Sequence, residues 1–417
     1  MPKGRGIRRI TTVMNRLINS PKGFKAAGVH AGIKNQKKDL ALVISDRPAV
    51  AAGCFTKNRV KAAPVLLDKE ILTEGRAFKG IVVNSGNANA CTGKQGMEDA
   101  RAMGRKVAAL AGCQPEEVFV CSTGVIGVML PMEKIISGID LAWSSLSSDE
   151  ESGIAALEAI MTTDLLCKSA YEELSLNGSK VVIAGMAKGS GMIHPNMGTM
   201  LAFITTDAAI SGSLLQRALS GAVEDTFNMV SIDGDTSTND TVLALANGMA
   251  DNKAIDFDDE SYQAFSEALM RICRKLAIDV ARDGEGASKL MEVVVEGAET
   301  MADARLIARS VASSSLFKAA LFGADANWGR ILCAMGYSGG AFDPDGASIA
   351  LSNSEGREGL FMNGSPLAFD EEAAKRILSQ KEVRVGIRLG SGAGFKATAW
   401  GCDLTYEYVR INGDYRS

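Results

Sequence analysis

Histidine is almost absent from the sequence, which has only two, His30 and His194, among its 417 residues. A histidine-based catalytic apparatus or a His-rich metal site therefore has very little material to use. Long apolar runs are missing too, and none approaches the roughly 18–20 residues that cross a membrane. The eight cysteines form no Cys-x-x-Cys pair, and most lie in apolar segments. This argues against a zinc site or a disulfide framework and favours a reducing, cytoplasmic location.

Acidic residues are missing from the N-terminal segment. Residues 1–38 contain ten basic side chains and no acid. The rest of the chain contains 35 of the 45 basic residues and all 49 acidic residues, so its net charge is −14. An acidic body of this kind argues against a nucleic-acid-binding protein. The segment lacks the long apolar stretch of a targeting peptide, so we interpret residues 1–20 as a solvated extension.

Apolar patterning divides the rest of the chain into strands and helices without a linker or a repeat. Short apolar runs predict buried strands at 40–44, 80–83, 118–121, 180–184 and 200–205. Helical spacing predicts amphipathic helices at 95–111 and 261–281, and further strands are predicted at 291–296 and 382–387. We therefore expect an α/β protein, with layered sheets covered by helices.

A glycine-rich segment, 185–198, separates two of these strands and contains one fixed cation, Lys188. Thr199 follows Gly198 at the mouth of the next strand. A threonine hydroxyl in this position can attack the preceding carbonyl, move the acyl group from nitrogen to oxygen and let water cut the ester. The liberated α-amine, with a pKa near ~8, would then deprotonate the same hydroxyl, so catalysis would need no histidine.

The pattern alone leaves other interpretations open. A Gly-Thr pair before a strand is more often an ordinary turn, and an uncut chain would be a ligand-binding or assembly protein. A phosphate-binding loop is disfavoured, because Lys188 precedes two of the glycines instead of following them. His194 is interpreted as a loop residue, since the liberated amine would already lie beside the hydroxyl as its base.

Motifs along the whole chain resemble the ornithine acetyltransferase family, also called glutamate N-acetyltransferase, of arginine biosynthesis. The resemblance runs from about residue 21 to the C-terminus. The motifs that carry it are GFKAAG (23–28), PAVAAG (48–53), NSGNAN (84–89), STGVIG (122–127), MTTD (161–164), DGDTSTND (233–240), DGEG (283–286), DANWGR (325–330) and INGDY (411–415).

The resemblance implies a layered α/β/β/α sandwich with a self-cleaving N-terminal-nucleophile site and a smaller C-terminal α/β domain. Cleavage between Gly198 and Thr199 would give an α chain, 1–198, and a β chain, 199–417, within one packed fold and with two αβ units per assembly. The implied activity moves acetyl from N2-acetylornithine to Thr199 and then to glutamate, giving ornithine and N-acetylglutamate. An amidohydrolase, with water as acceptor, is the alternative. The use of acetyl-CoA as a further acetyl donor stays open.

The resemblance also assigns residues. Thr123 and Gly124 match the oxyanion-hole pair, whose hydroxyl and backbone N–H would face the tetrahedral oxyanion. Lys188 suits a substrate α-carboxylate, and Glu285 suits a substrate ammonium group. No metal and no cofactor is implied, and Gly198 stands where many members have alanine. The complete set of implied substrate-binding positions is Thr162, Lys188, Thr199, Glu285, Asn412 and Ser417.

Overall fold

The structure, a computed structural model, describes residues 16–74, 77–194, 200–390 and 393–414. These residues form two β-sheets, of eight and seven strands, with helices packed on them. The strands are β1 (Phe24–Val29), β2 (Leu40–Phe55), β3 (Phe78–Asn87), β4 (Val118–Val125), β5 (Lys168–Leu176), β6 (Ser179–Lys188), β7 (Leu201–Thr206), β8 (Val230–Ser231), β9 (Thr241–Ala246), β10 (Leu290–Ala298), β11 (Ser348–Asn353), β12 (Gly356–Met362), β13 (Ser365–Pro366), β14 (Glu382–Arg388) and β15 (Phe395–Cys402). The helices are α1 (Ala63–Thr73), α2 (Gly93–Ala111), α3 (Met132–Ser144), α4 (Glu150–Ile160), α5 (Gly212–Glu224), α6 (Glu260–Arg282), α7 (Met301–Ser313), α8 (Ser315–Phe322), α9 (Trp328–Gly336), α10 (Glu371–Leu378) and α11 (Tyr406–Asp414).

The larger sheet has the strand order β4-β3-β2-β9-β7-β6-β5, and β1 pairs with β2 outside this path. Its central strands pair in both parallel and antiparallel directions. β9 is antiparallel to β2 but parallel to β7, and β7 is antiparallel to β6. Every residue of β7 and β9 is buried. Phe203 packs in one hydrophobic core and its neighbour Ile204 in the other. Burial on both faces explains why these strands are continuous apolar runs in the sequence.

Helices cover both faces of the larger sheet. α4 packs against β1, β2 and β3 in one core, whereas α5 and α6 pack against β2, β5 and β6 in the other. The long helix α6 also contacts β15 and β8, so it joins the two sheets. Phe265, Leu269 and Leu276, from the apolar stripe of the predicted helix, are fully buried.

The smaller sheet has the strand order β13-β12-β11-β14-β10-β15-β8 and is built almost entirely from residues after 290. β10 runs parallel to β14 and antiparallel to β15, and α7 packs against β10 and β15. Along β14, buried residues alternate with exposed ones, so one face of this sheet is open to water around this strand. The expected layered α/β class, with a smaller C-terminal α/β unit, is confirmed.

Two local predictions are wrong. The glycine-rich loop does not begin at residue 185, because β6 continues to Lys188, which pairs with Leu201 of β7. The strand predicted at 40–44 continues to Phe55, because the residues beyond its exposed bend at 46–48 pair with β9. In both cases a pairing partner that is distant in sequence decides where the strand ends.

All eight cysteines are free thiols. Four of them, Cys54, Cys121, Cys273 and Cys402, are buried, whereas Cys91 and Cys333 are exposed. No helix in the described parts of the chain is both long enough and apolar enough to cross a membrane.

Candidate active site

Six of the nine predicted site residues line a single cavity of about 200 Å³. They come from five segments that lie far apart in the sequence, and they are Thr123, Gly124, Thr162, Lys188, Glu285 and Asn412. The other three, Gly198, Thr199 and Ser417, lie outside the described residues.

Strand ends of the larger sheet and helix ends together form the cavity wall. Thr123 and Gly124 lie near the end of β4, and Lys188 is the last residue of β6. Thr162 follows α4, Glu285 follows α6, and the wall also includes α11. Residues at the ends of elements can point into a cavity without interrupting the hydrogen bonds of a sheet. The fold therefore gathers polar groups at this edge while the strands themselves stay apolar.

Gly124 has a backbone conformation that only glycine adopts readily. Its φ is +135°, and a Cβ built on it would lie 2.3 Å from the carbonyl carbon of Gly86 in the neighbouring strand β3. Any side chain here would force β3 and β4 apart. The glycine keeps the two strand ends close together and leaves the surface of residue 124 open toward the cavity.

Lys188 and Thr123 form the cationic part of the cavity. The Lys188 ammonium donates to the Thr123 hydroxyl, with 3.3 Å between Nζ and Oγ1. Burial lowers the pKa of Lys188, and the nearby carboxylate of Asp164 acts in the opposite direction. Because the Thr123 oxygen accepts this hydrogen bond, its own proton stays available for a second acceptor. The pair thus presents a positive charge and a hydroxyl donor to a bound molecule.

Glu285 brings negative charge to the same cavity. Its carboxylate accepts a hydrogen bond from the Asn412 amide, with 2.9 Å between Nδ2 and Oε2. Its backbone N–H donates to the Ser190 carbonyl at 2.7 Å. A Cβ on Gly191 would lie 2.4 Å from Oε2, so glycine at this position gives the carboxylate its space. Asn412 belongs to α11, a helix without a buried residue, and its bond to Glu285 ties that helix to the site.

Several wall residues had no predicted role. They are Thr163, Asp233, Asp235, Asn239 and Tyr408 among others. The Asp233 carboxylate accepts from the backbone N–H groups of Met192 and Ile193 at 2.5 and 2.8 Å, and burial raises its pKa. The Asn239 amide donates to the carbonyls of Ala88 and Ser122 at 2.6 and 2.8 Å. One sequence signal was present, because residues 233–240 contain no apolar side chain.

Asp240, the last residue of that polar stretch, is a buried acid beside the cavity. It is 4% exposed, and its Oδ2 atom has no hydrogen-bond partner among the described residues. Burial raises its pKa well above the ordinary value, although a hydrogen bond from the Met200 backbone N–H works against this. Burial therefore shifts the Asp240 carboxyl toward its protonated form.

His194 lies in the loop after β6 and is not among the residues that line the cavity. Its Nδ1 is 3.0 Å from the Ser231 hydroxyl, and its Nε2 is 3.2 Å from the Arg309 guanidinium. Burial and the Arg309 charge lower its pKa to about 4, so the ring is neutral at pH 7. Across the described ranges, no group of three or more His, Cys, Asp or Glu side chains could hold a metal ion.

Comparisons with known proteins identify the family of the chain. The model of the ArgJ family matches residues 25–417. The arginine biosynthesis bifunctional protein ArgJ of Caldanaerobacter subterraneus subsp. tengcongensis is 52% identical over 405 residues, which cover 97% of this chain and 100% of that protein. The protein of the same name from Symbiobacterium thermophilum is 53% identical over 403 residues, covering 96% and 98%. Among solved structures, an ornithine acetyltransferase complexed with ornithine from Mycobacterium tuberculosis is 39% identical, covers 44% of this chain and 97% of its own, and has a TM-score of 0.39. The chain belongs to the ArgJ family.

Proposed function

We propose that this protein is an autoprocessed acetyltransferase that moves acetyl from N2-acetylornithine to glutamate through an acetyl ester on Thr199. The observation that carries the proposal is the convergence of residues 123, 124, 162, 188, 285 and 412 on one cavity. Membership of the ArgJ family supports it, because relatives about half identical to this chain bear the name of an arginine biosynthesis protein.

The charges of the cavity match those of an amino-acid substrate. Lys188 is suited to the α-carboxylate that acetylornithine and glutamate share, and Glu285 to the side-chain ammonium of acetylornithine. The hydroxyl of Thr123 and the backbone N–H of Gly124 would donate to the oxyanion that forms when Thr199 attacks the acetyl carbonyl. Transfer through an ester divides a difficult acyl exchange into two easier steps.

Processing between Gly198 and Thr199 would supply the nucleophile and its base together. The products would be the α chain, 1–198, and the β chain, 199–417, and we expect two αβ units per assembly. The chemistry uses hydroxyl, amine and peptide groups alone, so we infer that no cofactor takes part. The free state of all eight thiols supports a cytoplasmic location.

Substitution of Thr199 tests the processing step. Thr199→Ala removes both the attacking hydroxyl and the acyl carrier, so we expect one uncut chain of 43.8 kDa without transferase activity. Thr199→Ser keeps a hydroxyl and should retain partial processing. Intact mass spectrometry measures both. An efficiently split Thr199→Ala protein would overturn the proposal.

The identity of the acceptor separates the transferase from an amidohydrolase. Incubation with N2-acetylornithine should give N-acetylglutamate in proportion to added glutamate, with little free acetate. Acetate formed at the same rate without glutamate would favour the amidohydrolase. A parallel incubation with acetyl-CoA and glutamate, without acetylornithine, determines whether the enzyme is bifunctional.

A further inference from the structure

Beneath the cavity lies a buried group of three charged side chains. The Lys168 ammonium is 2.7 Å from Oδ1 of Asp164 and 2.5 Å from Oδ2 of Asp283. Both lysine and Asp164 side chains are completely shielded from water, and that of Asp283 is 3% exposed. None of the three lines the cavity. A buried ion pair is costly unless its remaining hydrogen-bonding capacity is satisfied, so each bond made by these groups is informative.

Asp164 links two segments that carry predicted substrate contacts. Its Oδ2 accepts from the backbone N–H of Thr162 at 3.0 Å. Its Oδ1 accepts from the backbone N–H of Gly189 at 2.7 Å, immediately after Lys188. One carboxylate therefore fixes the spacing between the loop after α4 and the end of β6.

Asp283 links the same loop to a third segment. Its Oδ2 accepts from the backbone N–H groups of Leu165 and Leu166 at 3.0 and 3.1 Å. Two residues further on, Glu285 donates its backbone N–H to Ser190. Lys168 completes the connection between Asp164 and Asp283, because its ammonium contacts both.

The cluster also affects the charge of Lys188. Burial alone would raise the pKa of Asp164, but Lys168 and Lys188 outweigh it and hold this pKa below its ordinary value. Burial lowers the pKa of Lys188, and the attraction of Asp164 is the largest influence that opposes it.

The other charged groups around Lys188 have weaker or opposing influence. Lys168 and Lys34 repel its ammonium, whereas Asp240 and Glu285 attract it. Burial raises the pKa of Asp240, which shifts it toward its neutral form, and Glu285 is already bonded to Asn412. Asp164 therefore opposes the loss of charge on Lys188 most strongly, and its hydrogen bond from the Gly189 N–H holds its carboxylate beside that lysine.

We propose that Asp164, Lys168 and Asp283 form a positioning cluster that assembles the substrate site. Within it, Asp164 is the counter-ion that keeps the buried Lys188 ammonium charged, so that it binds the substrate α-carboxylate. This inference rests on the proposed function and deepens it, because it names the buried acid that opposes the loss of charge on Lys188.

The test is the pH dependence of KM in Asp164→Asn. Asparagine keeps the size of the side chain and an acceptor oxygen for the Gly189 N–H, but it removes the charge. The pH above which KM for acetylornithine rises should move down by about 1–3 units. Since both substrates carry an α-carboxylate, KM for glutamate should follow. The change in kcat should be smaller, because the oxyanion donors stay in place.

Asp283→Asn is the matched control. It removes the same charge from the same cluster, but Asp283 is not among the charges that act strongly on Lys188. We expect KM to increase by a similar factor at every pH, without a shift of the profile. Asp164→Glu restores the charge and should keep the wild-type profile, and it serves as the second variant if Asp164→Asn does not fold.

Three outcomes would overturn the inference. They are an unshifted profile in Asp164→Asn, an equal shift in Asp283→Asn, and a shifted profile in a folded Asp164→Glu. Intact mass and circular dichroism of each variant verify processing and folding beforehand. Failure of the proposed function itself would look different, because the wild-type enzyme would then transfer no acetyl group at all.

Discussion

The two sheets differ in how many of their faces are buried. Every residue of β7, with the sequence LAFITT, is buried, because helices and side chains cover both faces of the larger sheet. In β14, with the sequence EVRVGIR, exposed and buried residues alternate, because one face of the smaller sheet is open. Strand sequence therefore records the environment of each sheet as well as its secondary structure.

The same difference decides where charges lie. On the open face, Glu292 pairs with Arg384 at 2.5 Å, and a second exposed ion pair joins β10 to β15. In β6, β7 and β9 of the larger sheet, the only charged residues are Lys180 and Lys188, at the two ends of β6. A buried charge is costly, and the one buried charge of these three strands, Lys188, lies where a strand end meets the cavity.

The largest expected contrast between the sheets concerns phenylalanine. Phe203 in β7 is fully buried, whereas Phe395 in β15 is 43% exposed. Phe203→Ala should lower the free energy of unfolding by about 3–5 kcal/mol, because it removes packing and leaves a cavity. Phe395→Ala should cost about 1 kcal/mol or less. Urea unfolding of both variants measures the difference. Equal losses would show that Phe395 is buried in solution.

A smaller, pH-dependent contrast is expected for two aspartates. Burial raises the pKa of Asp240 in the folded state above its unfolded value of ~3.9. The stability that the protonated side chain contributes is therefore fully present below the unfolded pKa. It is lost as the pH rises toward the folded pKa. Asp240→Asn cannot ionise, so its stability relative to the wild type should increase as pH rises from 4 to 8.

Asp149, the exposed N-cap of α4, is the control, because the stability that it contributes changes with pH in the opposite direction. The hydrogen bond from the Ser152 N–H lowers the pKa of Asp149, so its contribution is present above the unfolded pKa and is lost as pH falls. Relative to the wild type, Asp149→Asn should therefore lose stability as pH rises through ~3.9, with little further change at higher pH. Thermal unfolding across pH measures both variants, and trends of the same sign would contradict the assigned burial of Asp240.

The smallest effect is expected on the open face. Glu292→Ala, Arg384→Ala and the double variant form a cycle whose coupling free energy should be about 0.2–1 kcal/mol, because the pair is accessible to water. In 1 M NaCl, where the screening length is ~3 Å, the coupling should shrink further. A coupling that is large and insensitive to salt would mean that this face is covered in the assembled protein.

Much of the fold was predictable because local patterns agree with the tertiary structure. The runs at 200–205 and 382–387 correspond to β7 and β14, and the stripe at 261–281 corresponds to α6. β9 was not predicted, because its run of five apolar residues, 242–246, cannot be assigned to strand or helix by periodicity alone. The far end of β2 was missed because only its partner β9, almost 200 residues later, makes it a strand.

The candidate active site was likewise predictable only in part. The gathering of Thr123, Lys188 and Glu285 was expected from the family resemblance, since no local pattern links residues so far apart. The charged cluster was not predicted at all. Asp164 and Lys168 have the spacing of an exposed pair on a helix, and the contact of Lys168 with Asp283 joins residues 115 apart. Only the folded chain shows that these charges are buried together.

The order of strands in the larger sheet has one more consequence. A cut between Gly198 and Thr199 would leave β7 and β9 of the second piece inserted between β2 and β6 of the first. Each piece would then hold the other by two ladders of backbone hydrogen bonds, and neither would contain the complete larger sheet. The processed enzyme could not separate into its two chains without unfolding. Its refolding would become an encounter of two molecules and would slow on dilution, whereas the uncut precursor would refold at a rate independent of concentration.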